Sequence, residues 1–411
     1  MSPISENDDL RERIKALGLH IGAKEHKPKS VVQKYKIEDV IKTHEENTPL
    51  GSALVYEELY PREYQHGDAL LTSLNNYQFI ANWANIESNG KTDPQKLLFL
   101  DTETSGLSSA AGTFAFLIGM GFLKDDGFHI LQIIMPSPHQ EPALLAVFGR
   151  LVFDYETIVT FNGKSFDIPL LEHRHILYRI PTPFDRLQHI DLLHLARKLW
   201  RNRLSSRRLS DLEQSILHFR RAKEEVPGWM VPEIYKDYLH TGDARPLSGV
   251  FYHNAVDVLS LAGIFTHIAN ILNQPFTNEM DERDLAAVGN IFEDMGSFES
   301  AKMIYQKCMH VELPIEIYYR TLRRLAGIYK KELQWDQAVS VWQRLAENDI
   351  ESCIELAKYY EHITRSYPEA IDYTHKAFEL YRNRDRTWLE YNEDDLKTRY
   401  DRLIKKMDNK S

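Results

Sequence analysis

The sequence predicts an α/β fold built on a mixed sheet, followed by an all-helical array. Three observations lead there. Four apolar residues, Leu97 to Leu100, run directly into Asp101 and Glu103. Element signals then follow one another as strand, strand, strand, helix, strand, helix. Beyond residue 272, a set of apolar positions recurs at an offset of 37 residues.

The first strand organises the rest. An unbroken apolar run between turn-formers reads as a buried central strand. Side chains at i and i+2 share a face, so Asp101 and Glu103 project together while Thr102 points away. Two acids fixed side by side repel each other unless a cation lies between them, and hard divalent ions such as Mg²⁺ prefer carboxylate oxygens. With 60 Asp and Glu in 411 residues, a solvated strand end is the plain alternative. Exposed acids seldom follow so apolar a run, which favours a site.

In chain order, residues 1–50 form a polar segment. It has a short amphipathic stretch at Leu10 to Leu17 and a Lys-rich run from Lys24 to Lys36 that reads as a solvated tail. Residues 51–96 are a lead-in with two short apolar elements and a helix over Asp68 to Ala84, broken at Asn89 to Pro94. After the central strand, Phe114–Phe122 and Phe128–Met135 form a hairpin about Asp125-Asp126-Gly127. A helix over Gln140 to Phe153 leads to a strand at Thr157 to Phe161. Asn162-Gly163-Lys164 then turns the chain, and Ser165 caps a helix over Phe166 to Leu177.

Asp167 falls in the first turn of that helix, at the carboxyl end of a strand, where α/β folds place ligands. An acid answering the helix dipole is the alternative. A helix follows over Asp191 to Trp200, and Asp191 reads as its cap or as a fifth acid. A long helix from Pro246 to Ile271 carries Asp257 among Val256, Val258, Leu259 and Leu261. A carboxylate buried there without a partner costs several kcal/mol, so it requires a cation or a polar neighbour. His253, at i−4, shares its face; Tyr252, at i−5, points aside. Trp229, Tyr235 and Tyr238 are candidates to stack on bases, with core packing preferred for two of the three.

Composition sets bounds on partners. Apolar residues make up 43% and charged residues 27%, as in ordinary globular domains. Net charge is −10, so a polyanion has to meet a local basic face. One exists: Arg197 to Lys223 holds nine Lys or Arg against Asp211 and Glu213, a local +7. Arg201, Arg203, Arg207 and Arg208 are its candidate phosphate contacts, a solubilising face being the alternative. Two isolated cysteines, Cys308 and Cys353, fit a reducing compartment. The N-terminus lacks a signal pattern and the longest apolar run is too short to span a membrane, so the expectation is a cytoplasmic protein.

Asp-x-Glu-Thr-x-Gly-Leu at 101–107, Asn162-x-x-x-Phe166-Asp167 and a final Asp257 on a late helix resemble the three motifs of DEDD-type 3′–5′ exonucleases. These are the DnaQ-like branch of the ribonuclease H superfamily. His253-Asn254-x-x-Asp257, Asp191-Leu-Leu-His-Leu-Ala-Arg and the trailing repeats resemble more closely the YprB-like bacterial group. The resemblance implies an RNase H-like domain over 97–271. It implies Asp101, Glu103, Asp167 and Asp257 as ligands of two Mg²⁺ or Mn²⁺ ions, and hydrolysis of single-stranded or frayed nucleic acid. The family places a Tyr four residues before the last Asp, or a His five before it, to serve the attacking water. This chain departs by placing His253 at four and Tyr252 at five. Helix geometry favours His253 as base.

The array, residues 272–411, resembles tetratricopeptide repeats. Leu285, Val288, Gly289, Phe292, Ala301 and Tyr305 recur as Leu322, Leu325, Ala326, Tyr329, Ala338 and Trp342, with a looser third copy holding Ala357, Tyr360, Ala370 and Ala377. Such repeats imply a protein partner. Two other readings remain at this level: a non-catalytic nucleic-acid-binding scaffold, and a structure-selective endonuclease.

Overall fold

A computed structural model describes residues 35–74, 76–86, 92–106, 112–221, 225–276, 280–382 and 392–408. The amphipathic stretch and nearly all of the Lys-rich run expected near the N-terminus lie outside them.

One seven-stranded sheet forms the centre, ordered β1-β2-β7-β6-β5-β8-β9. Its strands are β1 (His44–Thr48), β2 (Gly51–Pro61), β5 (Leu97–Thr104), β6 (Ala115–Lys124), β7 (Gly127–Ile134), β8 (Thr157–Thr160) and β9 (Gln188–Asp191). Residues 65–70 add the small hairpin β3–β4. β8 and β9 run parallel to β5, whereas β6, β7, β2 and β1 alternate antiparallel. The hairpin about Asp125-Asp126-Gly127 is the β6–β7 connection.

Two expectations for the lead-in are corrected. The segment before residue 97 supplies two strands to the same sheet, with β2 pairing β7 from Leu54 to Pro61, so the sheet begins well before residue 97. The helix expected over Asp68–Ala84 is only Gln78–Trp83, preceded by strand and 3₁₀ turns.

Both faces of β5 are covered, which is why it reads as continuous apolar sequence. Leu97 and Phe99 join one core, Leu98 and Leu100 the other. The first core is closed by the helix Leu247–Asn273, 27 residues long. That helix is apolar enough by composition to cross a membrane, yet 78% of its most apolar window is buried inside the protein. Its partners are Phe99, Phe128 and Ile130 of the sheet and the helix Leu192–Trp200. The second core lies under the helices Glu141–Leu151, Asp167–Tyr178 and Val231–Thr241.

Close approach of the long helix depends on glycine. A Cβ at Gly119 of β6 would lie 2.1 Å from Asn254 Oδ1, and one at Gly121 would lie 2.4 Å from Val258 Cγ1. At either position a side chain would have to displace the helix or the side chains it sends to the sheet.

Beyond Asn273 the chain is entirely helical among the described residues, with helices Glu282–Asp294, Phe298–Cys308, Ile315–Lys331, Trp335–Leu345, Ile350–His362, Tyr367–Arg382 and Glu393–Asp408. Successive helices pack as hairpins. Ala301, Ala326, Ala338, Ala357, Ala370 and Ala377 are fully buried where helices meet, as the recurrence predicts. The first core continues without a break from the sheet into this array, and Phe79 meets Phe292 edge to face at 5.0 Å.

Gly121→Ala should therefore destabilise the fold by about 1–3 kcal/mol, the usual cost of forcing atoms into a packed core. Denaturant unfolding of the variant beside the wild type reads this out; equal midpoints would show that the helix can shift at no cost.

Candidate active site

The end of β5 is shaped to present acids. Pairing with β6 shifts register between Glu103 and Thr104, a bulge that re-aims the chain where the ladder ends. Asp101 and Glu103 face the long helix. Asn254 of that helix donates from Nδ2 to Asp101 Oδ2 at 2.8 Å. Asn254 is itself fixed by Gln132 of β7, whose Nε2 donates to Asn254 Oδ1 at 2.8 Å and to the Phe251 carbonyl at 2.9 Å. Gln132 and Asn254 are both fully buried, so this polar chain runs through the core to the first acid.

One turn along the same helix is Asp257. Glu103, His253 and Asp257 each offer a ligand atom, all within 4.8 Å of one another. Asp167 arrives from the opposite layer, round the end of β5. Its Oδ1 accepts a bond from Thr102 Oγ1 at 2.5 Å, so the residue pointing away from the acid pair anchors the acid from behind. The loop leading to Asp167 is pinned as well. Asn162 holds a left-handed backbone with φ of 68°, and Asp191 accepts from the backbone N–H of Asn162 at 2.8 Å and of Lys164 at 3.1 Å. Asp191 also caps its own helix through Leu193 N at 3.0 Å. It acts as cap and clamp.

Electrostatics tie the four acids together. Burial, then repulsion from Asp257, Glu103 and Asp167, drives Asp101 well above the usual carboxylate range, with the Asn254 bond opposing. Glu103 is raised well above its ordinary value by burial and by Asp257 and Asp167, with Arg221 opposing. Burial lifts Asp167 to about 6 against the bond from Thr102. Carboxyls this short of counter-charge take up protons unless a cation is bound. The donor set is all carboxylate with one imidazole at its edge, which fits a hard divalent ion.

His253 faces the cluster. Its Nδ1 lies 2.9 Å from Glu225 Oε1, and its Nε2 lies 3.4 Å from Asp257 Oδ2. Tyr252 lies toward solvent, 37% exposed.

The basic segment divides. Arg203 is engaged by Asp284 at 2.6 Å and Asp281 at 3.8 Å, a strut to the helical array. The expectation that it meets phosphate is therefore withdrawn. Arg207 donates to the Leu204 and Ser205 carbonyls at 2.9 and 3.0 Å, while Arg201 and Arg208 are exposed. Arg197, Arg207 and Arg208, with Ser205 and Ser206, line a cleft of about 500 Å³ beside Asn162. Of the aromatics, Tyr235 is buried against Phe116 and Trp229 is 68% exposed. Gly228, next to Trp229, lies where a Cβ would sit 3.3 Å from His253 Nε2.

Sequence reasoning missed Gln132, Glu213, Arg221 and Glu225. Gln132 carried a signal, being a lone amide inside Ile130-Leu131-Gln132-Ile133-Ile134. Arg221 and Glu213 were masked by the basic run that contains them.

The raised carboxyls make a pH prediction with a definite sign. A group whose folded pKa exceeds its unfolded value contributes stability that is fully present below the unfolded value, near 4, and lost as pH rises through the folded one. For Asp167 that window ends at about 6. Mn²⁺ should thus raise the melting temperature most above pH 7 and progressively less toward pH 5. Thermal melts with Mn²⁺ and with chelator across this range test it; a shift independent of pH would mean the ion binds elsewhere.

Residues 98–269 match the family profile described as RNase_H superfamily. Over 327 residues the chain is 31% identical to the YprB protein of Bacillus subtilis (strain 168), an alignment covering 77% of this chain and 78% of that one. Among solved structures it is similar to the family B DNA polymerase from the hyperthermophilic archaeon Pyrobaculum calidifontis, at 17% identity and a TM-score of 0.35. That match takes in 54% of this chain and 30% of the polymerase. By its identity and coverage with the Bacillus protein, the chain belongs to the YprB family, with a domain of the RNase H superfamily at its centre.

Proposed function

We propose that this protein is a metal-dependent nuclease of the DEDD type, a 3′–5′ exonuclease acting on single-stranded or frayed nucleic acid. The observation that carries this reading is the meeting of Asp101, Glu103, Asp167 and Asp257, drawn from one strand and two helices on opposite layers into a single field. These four would hold two Mg²⁺ or Mn²⁺ ions. Such ions, when bound, lower the pKa of a water and stabilise the leaving oxygen of a phosphodiester.

The chain's own groups supply the rest. In the tautomer where His253 Nδ1 donates to Glu225, the Nε2 lone pair is toward the cluster, able to take a proton from an attacking water. Asn254 and Thr102 hold Asp101 and Asp167 in place. The exposed Trp229, one residue from the glycine that backs onto His253, suits stacking with a base of an unpaired strand. The cleft at Arg197, Arg207 and Arg208 lies on the parallel side of the sheet, at the same carboxyl edge as the acids. Strand spacing puts β9 about 10 Å from β5, within reach of the next phosphates of a bound strand. We assign Arg201, Arg207 and Arg208 to that role, and the tetratricopeptide-like array to a protein partner.

Incubating the full chain with end-labelled DNA and RNA oligonucleotides in Mn²⁺ tests the reading. A ladder shortening from the 3′ end is expected from the wild type and not from Asp101→Ala. Identical lanes would leave the scaffold reading, and a single internal cut the endonuclease one. Within an active protein, His253→Ala should lose about 10²–10⁴-fold in rate while still binding Mn²⁺, and Tyr252→Phe should be nearly silent. The reverse pattern would reassign the base to Tyr252.

The arginines are tested by binding in chelator, without cleavage. Arg201→Ala with Arg208→Ala should reduce the salt dependence of oligonucleotide affinity by roughly 0.7 in log–log slope for each lost contact. An unchanged slope would return them to a solvated face.

A further inference from the structure

Among the described residues, one arginine stands against the acids. Arg221 is held edge-on by Glu213, with Nε donating to Glu213 Oε2 at 2.6 Å and Nη2 bonded to Oε1. Glu213 is 1% exposed and so cannot turn to water instead. The outer edge of the same guanidinium faces the site, where Nη2 pairs with Asp257 and Nη1 with Glu225. His253 Nδ1 lies 3.3 Å from Nη1. Arg221 also lowers the proton affinity of Glu103, so its charge reaches across the cluster.

Buried ion pairs are poor devices for stability, since apolar residues of similar volume often serve as well. A buried Glu213–Arg221 pair in the wall of an acid cluster therefore calls for a role in that cluster. The guanidinium is a planar fork whose spacing matches two oxygens of a phosphate, and one edge clamped on Glu213 leaves the other pre-oriented. Glu213, in direct contact with Arg221, balances much of its charge, so the four acids keep their capacity for divalent cations.

We propose that Arg221 is a substrate-contacting residue of this site. While the cluster is metal-free it neutralises Asp257; once the acids hold cations, its outer N–H groups bind the non-bridging oxygens of the scissile phosphate. No bond is made or broken by Arg221, and its contribution is fixed positive charge where negative charge develops. This rests on the nuclease reading above.

The test uses the full chain with Arg221→Lys and with the double variant Glu213→Gln/Arg221→Gln, which removes both members of the buried pair so that Glu213 is not left charged without its arginine. Mn²⁺ affinity is measured by calorimetry, folding by thermal melt, and kcat and KM on a single-stranded oligonucleotide. The double variant should melt cooperatively and bind Mn²⁺ several-fold more tightly, because Asp257 loses a competing cation. Its kcat should fall about 10²–10³-fold, as for removal of one preorganised donor. Arg221→Lys, with charge but no fork, should recover only part of that loss. Two results would overturn the inference: Mn²⁺ affinity and kcat falling together, as for a mere strut, or kcat left unchanged. A wild-type protein that cleaves nothing removes the nuclease reading instead, a result read from the wild type alone.

Discussion

Four carboxyls crowded at the end of β5 are the constraint from which the surrounding structure can be read. They are carried on one strand and two helices, and three of the four have a neighbouring group that limits the repulsion. Asn254 donates to Asp101, Thr102 donates to Asp167, and Arg221 sits against Asp257. Glu103 has the least direct help, and burial together with two neighbouring acids pushes it far toward the neutral form. Such an arrangement is strained as a set of charges and relaxed as a set of ligands. A cation of hard character relieves it where hydrogen bonds alone do not.

The backbone pays for that crowding with close approach. The long helix can bring Asn254 and Asp257 to β5 only because β6 presents glycines at 119 and 121 beneath it. Gln132, on the next strand, reaches through to Asn254, so three strands and one helix act together to place a single Asp101 oxygen. On the far side, Asp191 restrains the left-handed turn at Asn162 that delivers Asp167. Rigid elements thus hold the acids on both layers, and rigidity of this kind is what a preorganised site needs.

Much of this was legible in the residues. The apolar run into Asp101 marked the central strand, the Asp-Asp-Gly turn marked the hairpin, and an acid amid Val256, Val258 and Leu259 marked Asp257 as in need of a partner. The illegible parts have physical causes. β1 and β2 are an edge addition, half polar because one side meets water, so their pattern was too weak to place them on the same sheet. Arg203 and Arg221 looked like members of a surface charge run because composition counts charge and cannot see pairing. Their partners, Asp284 and Glu213, lie 81 and 8 residues away along the chain.

Arg203 also explains why the two halves of the chain act as one body. It leaves the sheet domain to meet Asp284 of the first array helix, a carboxyl that burial holds up at about 6 even against the pull of the arginine. Lys198 meets Asp294 at the other end of that helix. Between these struts the apolar core runs from Phe99 through Phe265 and Leu272 to Val288 and Phe292 without a polar break. A hinge needs a layer that can part, and here parting would expose fully buried residues on both sides, at about 1.5–3 kcal/mol for each large side chain. The array is therefore a fixed extension of the sheet domain, and whatever surface it presents is held at a set place relative to the four acids.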